Sequence, residues 1–370
     1  MNSDRIQLAF GGYAITSACI ATKSRIAFGL KEIFDFENPD KRFKGRIPDD
    51  SELGARIVLY SPEIWFDKDD LVWAGWKRGF IRMIPVFESA TQDKKIVACC
   101  LDGHMKGVSS EYPKDSAWYD DKISANPIPH PHNAMHTARN IGGDIYFAGT
   151  PRKLFKRTGP DRWIDLTAET AHPGLHQEIN AAKEKRGNLR GLPLGFHAID
   201  GFSGDDIYAG GRHGDFWHWL DGHWYRMDLP TNVSISAIAC GGDGQVYVGC
   251  ENGLLYLGRD HTEAGERWRK LGREAVATGI TSLAWFDGKL WVGAKHGLYL
   301  CEGENVALYP FPEKRHSVVG EVQVAACDEA LLAYNDHSAV VFDGQSWTTI
   351  VRTEIPIEVP SIDEIDPDYS

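Results

Sequence analysis

The stretch IYAGGRHGDFWHW, residues 207–219, decides the fold. Apolar and aromatic residues alternate up to a glycine pair, Arg212 and His213 follow, and the alternation then resumes. That pattern is a strand, a tight break and a second strand. Near-copies stand at VWAGWKRGFIR (72–82) and LWVGAKHGLYL (290–300). Looser ones are RIAFGLKEIFDF (25–36), DIYFAGTPRKLFKR (144–157), QVYVGCENGLLYL (245–257) and ALLAYNDHSAVVF (330–342). Another short apolar strand precedes the hairpin, as in ISAIAC (235–240) and ITSLAW (280–285), joined to it through GGDG or DG turns. A fourth follows, as in DGHWYRMDL (221–229) and DGQSWTTI (343–350).

Four short antiparallel strands recurring roughly every 40 residues predict an all-β chain built as a single β-propeller. The anchors Ala27, Trp73, Tyr146, Tyr208, Tyr247, Trp291 and Leu332 count as seven blades, with six or eight as the neighbouring counts. The propeller is expected over 1–350, with insertions at 86–140 and 167–194. The first is rich in Pro, Asp and Ser and reads as an irregular excursion. The second contains HQEINAAKEKRGNLRG, a short helix ended by Gly187. Residues 351–370 form an acidic tail. Closing the ring calls for a terminal strand, RIQLAF (5–10) or alternatively EIPIEV (354–359). The large aromatic anchors are expected between blades. The repeat resembles the bacterial β-propeller repeat families of WD40-like, YVTN-like and BNR-like type, a likeness of architecture that implies no particular activity.

A net charge of −12 argues against a nucleic-acid binder that needs a basic surface. Seven cysteines without a C-x-x-C pair read as buried free thiols in a reducing compartment. The N-terminus lacks a signal-peptide layout and no apolar run reaches membrane length, so a cytoplasmic protein is expected.

Hairpins in an antiparallel sheet alternate ends, so each repeated tip lands around one mouth of the ring. Those tips and the second insertion supply the candidate binding residues: Lys77, Arg78, Arg152, Lys153, Arg212, His213, Lys295, His296, His337, Lys183, Lys185, Arg186 and Arg190. Lys31 adds to them. The opposite turns are rich in carboxylates, among them Asp67, Asp69, Asp70, Asp205, Asp243, Asp287, Asp328 and Asp343. Asp is also simply a good turn former. The expectation is a disc with a basic front and an acidic back, the front capturing an anionic partner.

Candidate chemistry is thin. His130, His132 and His136 in PHPHNAMH have spacing compatible with a metal, as a weak candidate site. Arg46-Ile47-Pro48 resembles the tripeptide with which sialidases clamp a carboxylate, and Asp-Gly-x-x-Trp at 343–347 half-matches their Asp-box. That resemblance implies a sialidase-like glycoside hydrolase, and the histidine loop a metal-dependent hydrolase, as the alternative function on the propeller face. The main reading is non-catalytic: no cofactor, and a protein partner with an acidic or anionic surface. Trp118, Tyr119, Trp217 and Trp219 are expected as aromatic anchors of that interface. A stand-alone acidic propeller with elaborated loops is also similar to the proteins that neutralise a cognate toxin in bacterial competition, which implies a toxin or effector as the partner.

Overall fold

The computed structural model describes residues 3–36, 52–62, 71–76, 84–87, 96–99, 104–108, 119–122, 134–159, 162–186, 194–258, 268–272 and 278–353, with positions 40, 44, 46–48 and 276. They form seven four-stranded antiparallel sheets, each built from consecutive strands. The first holds β1 (Tyr13–Thr22), β2 (Arg25–Glu32), β3 (Ala55–Tyr60) and β4 (Leu71–Trp76). The next holds β5 (Ile84–Phe87), β6 (Ile96–Cys99), β7 (His104–Val108) and β8 (Tyr119–Lys122), described chiefly by its strand register. Then come β9 (Ala134–Ile141), β10 (Asp144–Thr150), β11 (Lys153–Gly159) and β12 (Arg162–Asp165). The fourth sheet is β13 (Ala198–Ser203), β14 (Asp206–Gly210), β15 (Phe216–Leu220) and β16 (His223–Arg226). The fifth is β17 (Ile235–Cys240), β18 (Val246–Cys250), β19 (Leu255–Gly258) and β20 (Trp268–Lys270). β21 (Ile280–Phe286), β22 (Lys289–Ala294), β23 (Gly297–Glu302) and β24 (Asn305–Leu308) follow. The last sheet is β25 (Gln323–Ala326), β26 (Leu331–Tyr334), β27 (Ser338–Phe342) and β28 (Trp347–Arg352).

The first strands β1, β5, β9, β13, β17, β21 and β25 pack side by side in that order, and β25 returns to β1. This is the arrangement of a β-propeller, with the first strand of each sheet at the axis. Second strands such as β14 and β18 are buried on both faces, because each sheet is sandwiched between two others. The aromatic anchors fill those gaps: Tyr146, Tyr208, Tyr247 and Trp291 are all buried. Cys250 and Cys301 are buried free thiols, and burial first of all pushes Cys250 up to about 12.

Three expectations change. Segment 86–140 is not an irregular excursion, since it supplies β6–β8, the end of β5 and most of β9. Strands such as YDDK carry no apolar alternation, so periodicity cannot find them. RIAFGLKEIFDF is not a tight hairpin either: β2 pairs with β3 across a long connection, and Leu71–Trp76 is the outer strand of the first sheet. That shift accounts for the wide spacing of the early repeats.

The third concerns closure. RIQLAF lies in a helix, α1 (Ser3–Phe10), not in a strand. A strand would bury Ile6, Leu8 and Phe10 together. Instead Ala9 and Phe10 are buried, Ile6 packs beside them, and Leu8 is 64% exposed, which is helical spacing. Gly12, at φ 75°, ends the helix. Arg56 of β3 donates to the Leu8 and Ala9 carbonyls at 2.9 and 2.5 Å, capping its C-terminus. Phe10 meets Phe28 edge-on at 5.4 Å in a core shared with Tyr334, Val341 and Ile350 of the last sheet. The first and last sheets thus join through packing around α1. EIPIEV and the rest of the acidic tail lie outside the described residues.

The helix predicted in the second insertion is α2 (Pro173–Arg186), between β12 and β13. No described helix is long and apolar enough to cross a membrane.

Candidate binding face and axial channel

Strand alternation places the second-to-third-strand turns, the sheet-to-sheet connections, α1 and α2 on one face, called the front. Arg212 and His213 form a 3-10 turn with Gly214, both side chains exposed. His213 and Gly214 take left-handed φ of 58° and 69°, and the Asp215 N–H closes the turn on the Arg212 carbonyl at 3.1 Å. Lys295 and His296 occupy the equivalent turn between β22 and β23, again exposed. His337 is half-buried, its N–H held by the Asn335 side chain at 3.0 Å. Lys183 and Lys185 are exposed on α2, and Arg186 is its last residue. Lys77, Arg78, Arg190, His130 and His132 lie outside the described residues.

Arg152 behaves differently and must be removed from the surface set. Its turn folds it inward at φ 47°, and it is fully buried. The guanidinium grips Asp215 with two bonds, Nε at 2.9 Å and Nη2 at 2.8 Å. Nη1 donates to the Leu175 carbonyl of α2 at 2.7 Å, and Nη2 also meets Glu178 of α2. Its charge lies 4.9 Å from the Trp217 ring, whose Nε1 donates to Asp215 at 2.8 Å. Burial pulls the Arg152 pKa down, but the Asp215 and Glu178 contacts outweigh it and hold the group above its usual value. Burial likewise pushes Glu178 up, while Arg152 and then Arg226 bring it below the ordinary carboxylate value. Arg152 is a clamp that seats α2 on the front, with Leu175 packed beneath in one cluster with Trp217 and Trp219, and Ile179 buried. Those two tryptophans are therefore core and not exposed anchors. The side chains of Trp118 and Tyr119 lie outside the described residues. Lys153 starts β11 and is engaged by Asp165 at 2.8 Å.

The front is mixed in sign, for Glu184, Glu251, Glu313 and Asp336 are exposed there too. On the back, Asp243 and Asp343 accept backbone N–H groups of their own turns, and Asp221 and Asp287 sit at left-handed φ. Asp144 and Glu302 pair with Lys156 and Lys289 at 2.6 and 2.7 Å. Turn chemistry thus accounts for much of the back-face carboxylate.

The axis holds a channel of 720 Å³. Each first strand turns its unpaired edge towards it, and neighbouring sheets satisfy several of those N–H groups. Ala18 N–H donates to the Tyr334 hydroxyl at 3.0 Å, Cys240 N–H to Asp200 at 2.9 Å, and Val324 N–H to the Ser282 hydroxyl at 2.7 Å. Ser236 donates to the Ile280 carbonyl at 2.6 Å. Burial pushes the Asp200 carboxyl up, against the opposing pull of Arg139. At the front mouth His136 stacks on His197 with ring centres 4.0 Å apart, and His136 Nε2 meets the Thr150 hydroxyl at 2.8 Å. Burial, then the charge of Arg212, pushes His197 down. His136 is therefore part of a channel-lining strand and not of a loop, and among the described residues no group of three or more His, Cys, Asp or Glu could hold a metal. Arg139 and His197 escaped sequence reading. Assigning ARN to an axial strand is the only signal that exposes Arg139.

No model of a known protein family matches this chain. It is 28% identical over 210 residues to the immune protein Tsi7 of Pseudomonas aeruginosa, a match covering 57% of this chain and 62% of that protein. The chain thus matches less than two thirds of that relative's length. Among solved structures it superposes on the WD40 β-propeller domain of Doa1 with TM-score 0.54 and 11% identity, covering 90% of this chain and 93% of that one. Saccharomyces cerevisiae Sqt1 gives TM-score 0.52 and 10% identity, covering 91% and 84%. The computationally designed Ika8 protein gives 0.54 and 12%, covering 92% and 86%. At such identities these structures speak for the β-propeller fold alone.

Proposed function

We propose that this chain is a non-catalytic, protein-binding propeller of immunity type, which neutralises a partner protein by docking it on the front face. The observation that carries the reading is the similarity to an immune protein over 210 residues. The front supports it in two ways. Exposed Arg212, His213, Lys295 and His296 gather on one side of the ring. The Arg152 clamp ties α2, with Lys183 and Lys185, to that same side. Pre-organised cations on a face of mixed sign favour fast capture of a partner with acidic patches, a toxin on this reading.

The test is affinity capture from the native host, comparing wild type with the triple variant Arg212→Glu, Lys295→Glu and Lys183→Glu. The variant should fold and lose the wild-type partner. Recovery of the same partner in undiminished yield would sink the front-face reading. The hydrolase alternative draws no support from Arg46, whose guanidinium is held by Glu52 at 2.6 and 2.5 Å. Turnover of a fluorogenic sialoside by the purified protein would reverse this ranking.

A further inference from the structure

Arg139 stands near the back end of β9, on the wall of the axial channel. Among the described residues its guanidinium makes one polar contact, to the Leu283 carbonyl of β21 at 3.4 Å. β9 and β21 are not neighbours in the ring, so the side chain crosses the channel to reach it. Its charge is felt at Cys19 of β1, Asp200 of β13 and Cys240 of β17, which places it near the axis. A guanidinium carries five N–H donors, and a bond of 3.4 Å lies beyond the usual range. No described carboxylate lies within ion-pairing distance of it. Most of its donors therefore face open channel.

The channel is also graded in charge along its length. His136 and His197 line the front mouth, with Arg212 close enough to depress His197. Asp328 and Glu329 line the back mouth. Glu251 is the carboxylate among the front lining residues. An anion entering from the front meets imidazoles, then an arginine with spare donors, then a carboxylate barrier. We propose that the axial channel binds a small oxyanion, a carboxylate or a phosphate, in a forked contact with Arg139. This site is separate from partner docking and does not depend on it.

The experiment is calorimetric titration of the full chain with inorganic phosphate and, as a second arm, with succinate, each at ionic strength matched with sodium chloride. Saturable binding near one site per chain is expected for at least one of the two, and the better arm names the ligand class. Arg139→Gln should weaken it about tenfold or more, and Arg139→Lys by less, since the charge stays and the fork is lost. Modification of wild-type Arg139 by phenylglyoxal, followed by peptide mass spectrometry, needs no variant to fold and should slow in the presence of the bound anion. Absence of saturable binding in both arms, equal affinity of wild type and Arg139→Gln, or unchanged labelling of Arg139 would overturn the proposal.

Discussion

Arg152 and Arg139 belong to the same four-stranded sheet, yet their surroundings are opposite. Arg152 is sealed at the root of a front turn, where Asp215, Glu178 and the Leu175 carbonyl take up its donors and Trp217 covers its face. Arg139 reaches across an open channel to a single carbonyl. In sequence Arg152 sits at a turn tip and looks like a surface cation, whereas Arg139 lies within a strand and looks like structure. A buried charge is tolerated only when paired and hydrogen-bonded. The clamp meets that condition from within the chain, and the channel leaves it to solvent or a ligand.

That contrast can be broken most forcefully at Asp215, itself buried. Asp215→Ala leaves the Arg152 charge without its main partner and should cost about 3–5 kcal/mol in urea unfolding. A loss below about 1 kcal/mol would mean the clamp is ornamental. Leu175→Ala asks whether packing rather than charge seats α2. At 2% exposure the lost leucine should cost about 2–5 kcal/mol, with faster hydrogen exchange confined to α2 and the turns beneath it.

Acidity tests the same contrast with opposite signs. Glu178 is depressed in the folded protein, so its contribution is present above the ordinary value of 4.5 and is lost as pH falls through the lower folded value. Asp200 is raised, so its ionisation costs stability as pH climbs from the ordinary 3.8 through the folded value. Exchange protection measured from neutral pH down through 4.5 and below, corrected for intrinsic rates, should therefore strengthen around β13 and weaken at α2 as pH drops. Parallel changes in both regions would contradict the assignment.

Arg139→Gln removes one long hydrogen bond and should change stability by less than about 1 kcal/mol, in contrast with Asp215→Ala. A penalty as large as the clamp's would make Arg139 a structural member of the ring. Smallest of all, Arg212→Glu and Lys295→Glu touch exposed tips and should stay within about 0.5 kcal/mol in the same assay.

Legibility followed signal strength. The later sheets were readable because ISAIAC, VYVGC and LWVG alternate strongly around glycine turns. The sheet of β5–β8 was not, because strands such as HMKGV and YDDK borrow their stability from neighbours and have little apolar pattern of their own. RIQLAF fits period two as letters, but helical contacts with Arg56 and Phe28 decided its state. The turn cations divided in the same way. Arg212 and Lys295 remained outside, while Arg152 was drawn in by two carboxylates far along the chain.

By itself the sequence determined the repeat, the four-strand unit and the aromatic filling between sheets, since these rest on period-two patterning and local turn chemistry. Only the tertiary structure decided how the ring closes, which cations are consumed internally and which arginine reaches across the axis. Pairing of a charge depends on what distant segments bring to it, and no local pattern encodes that.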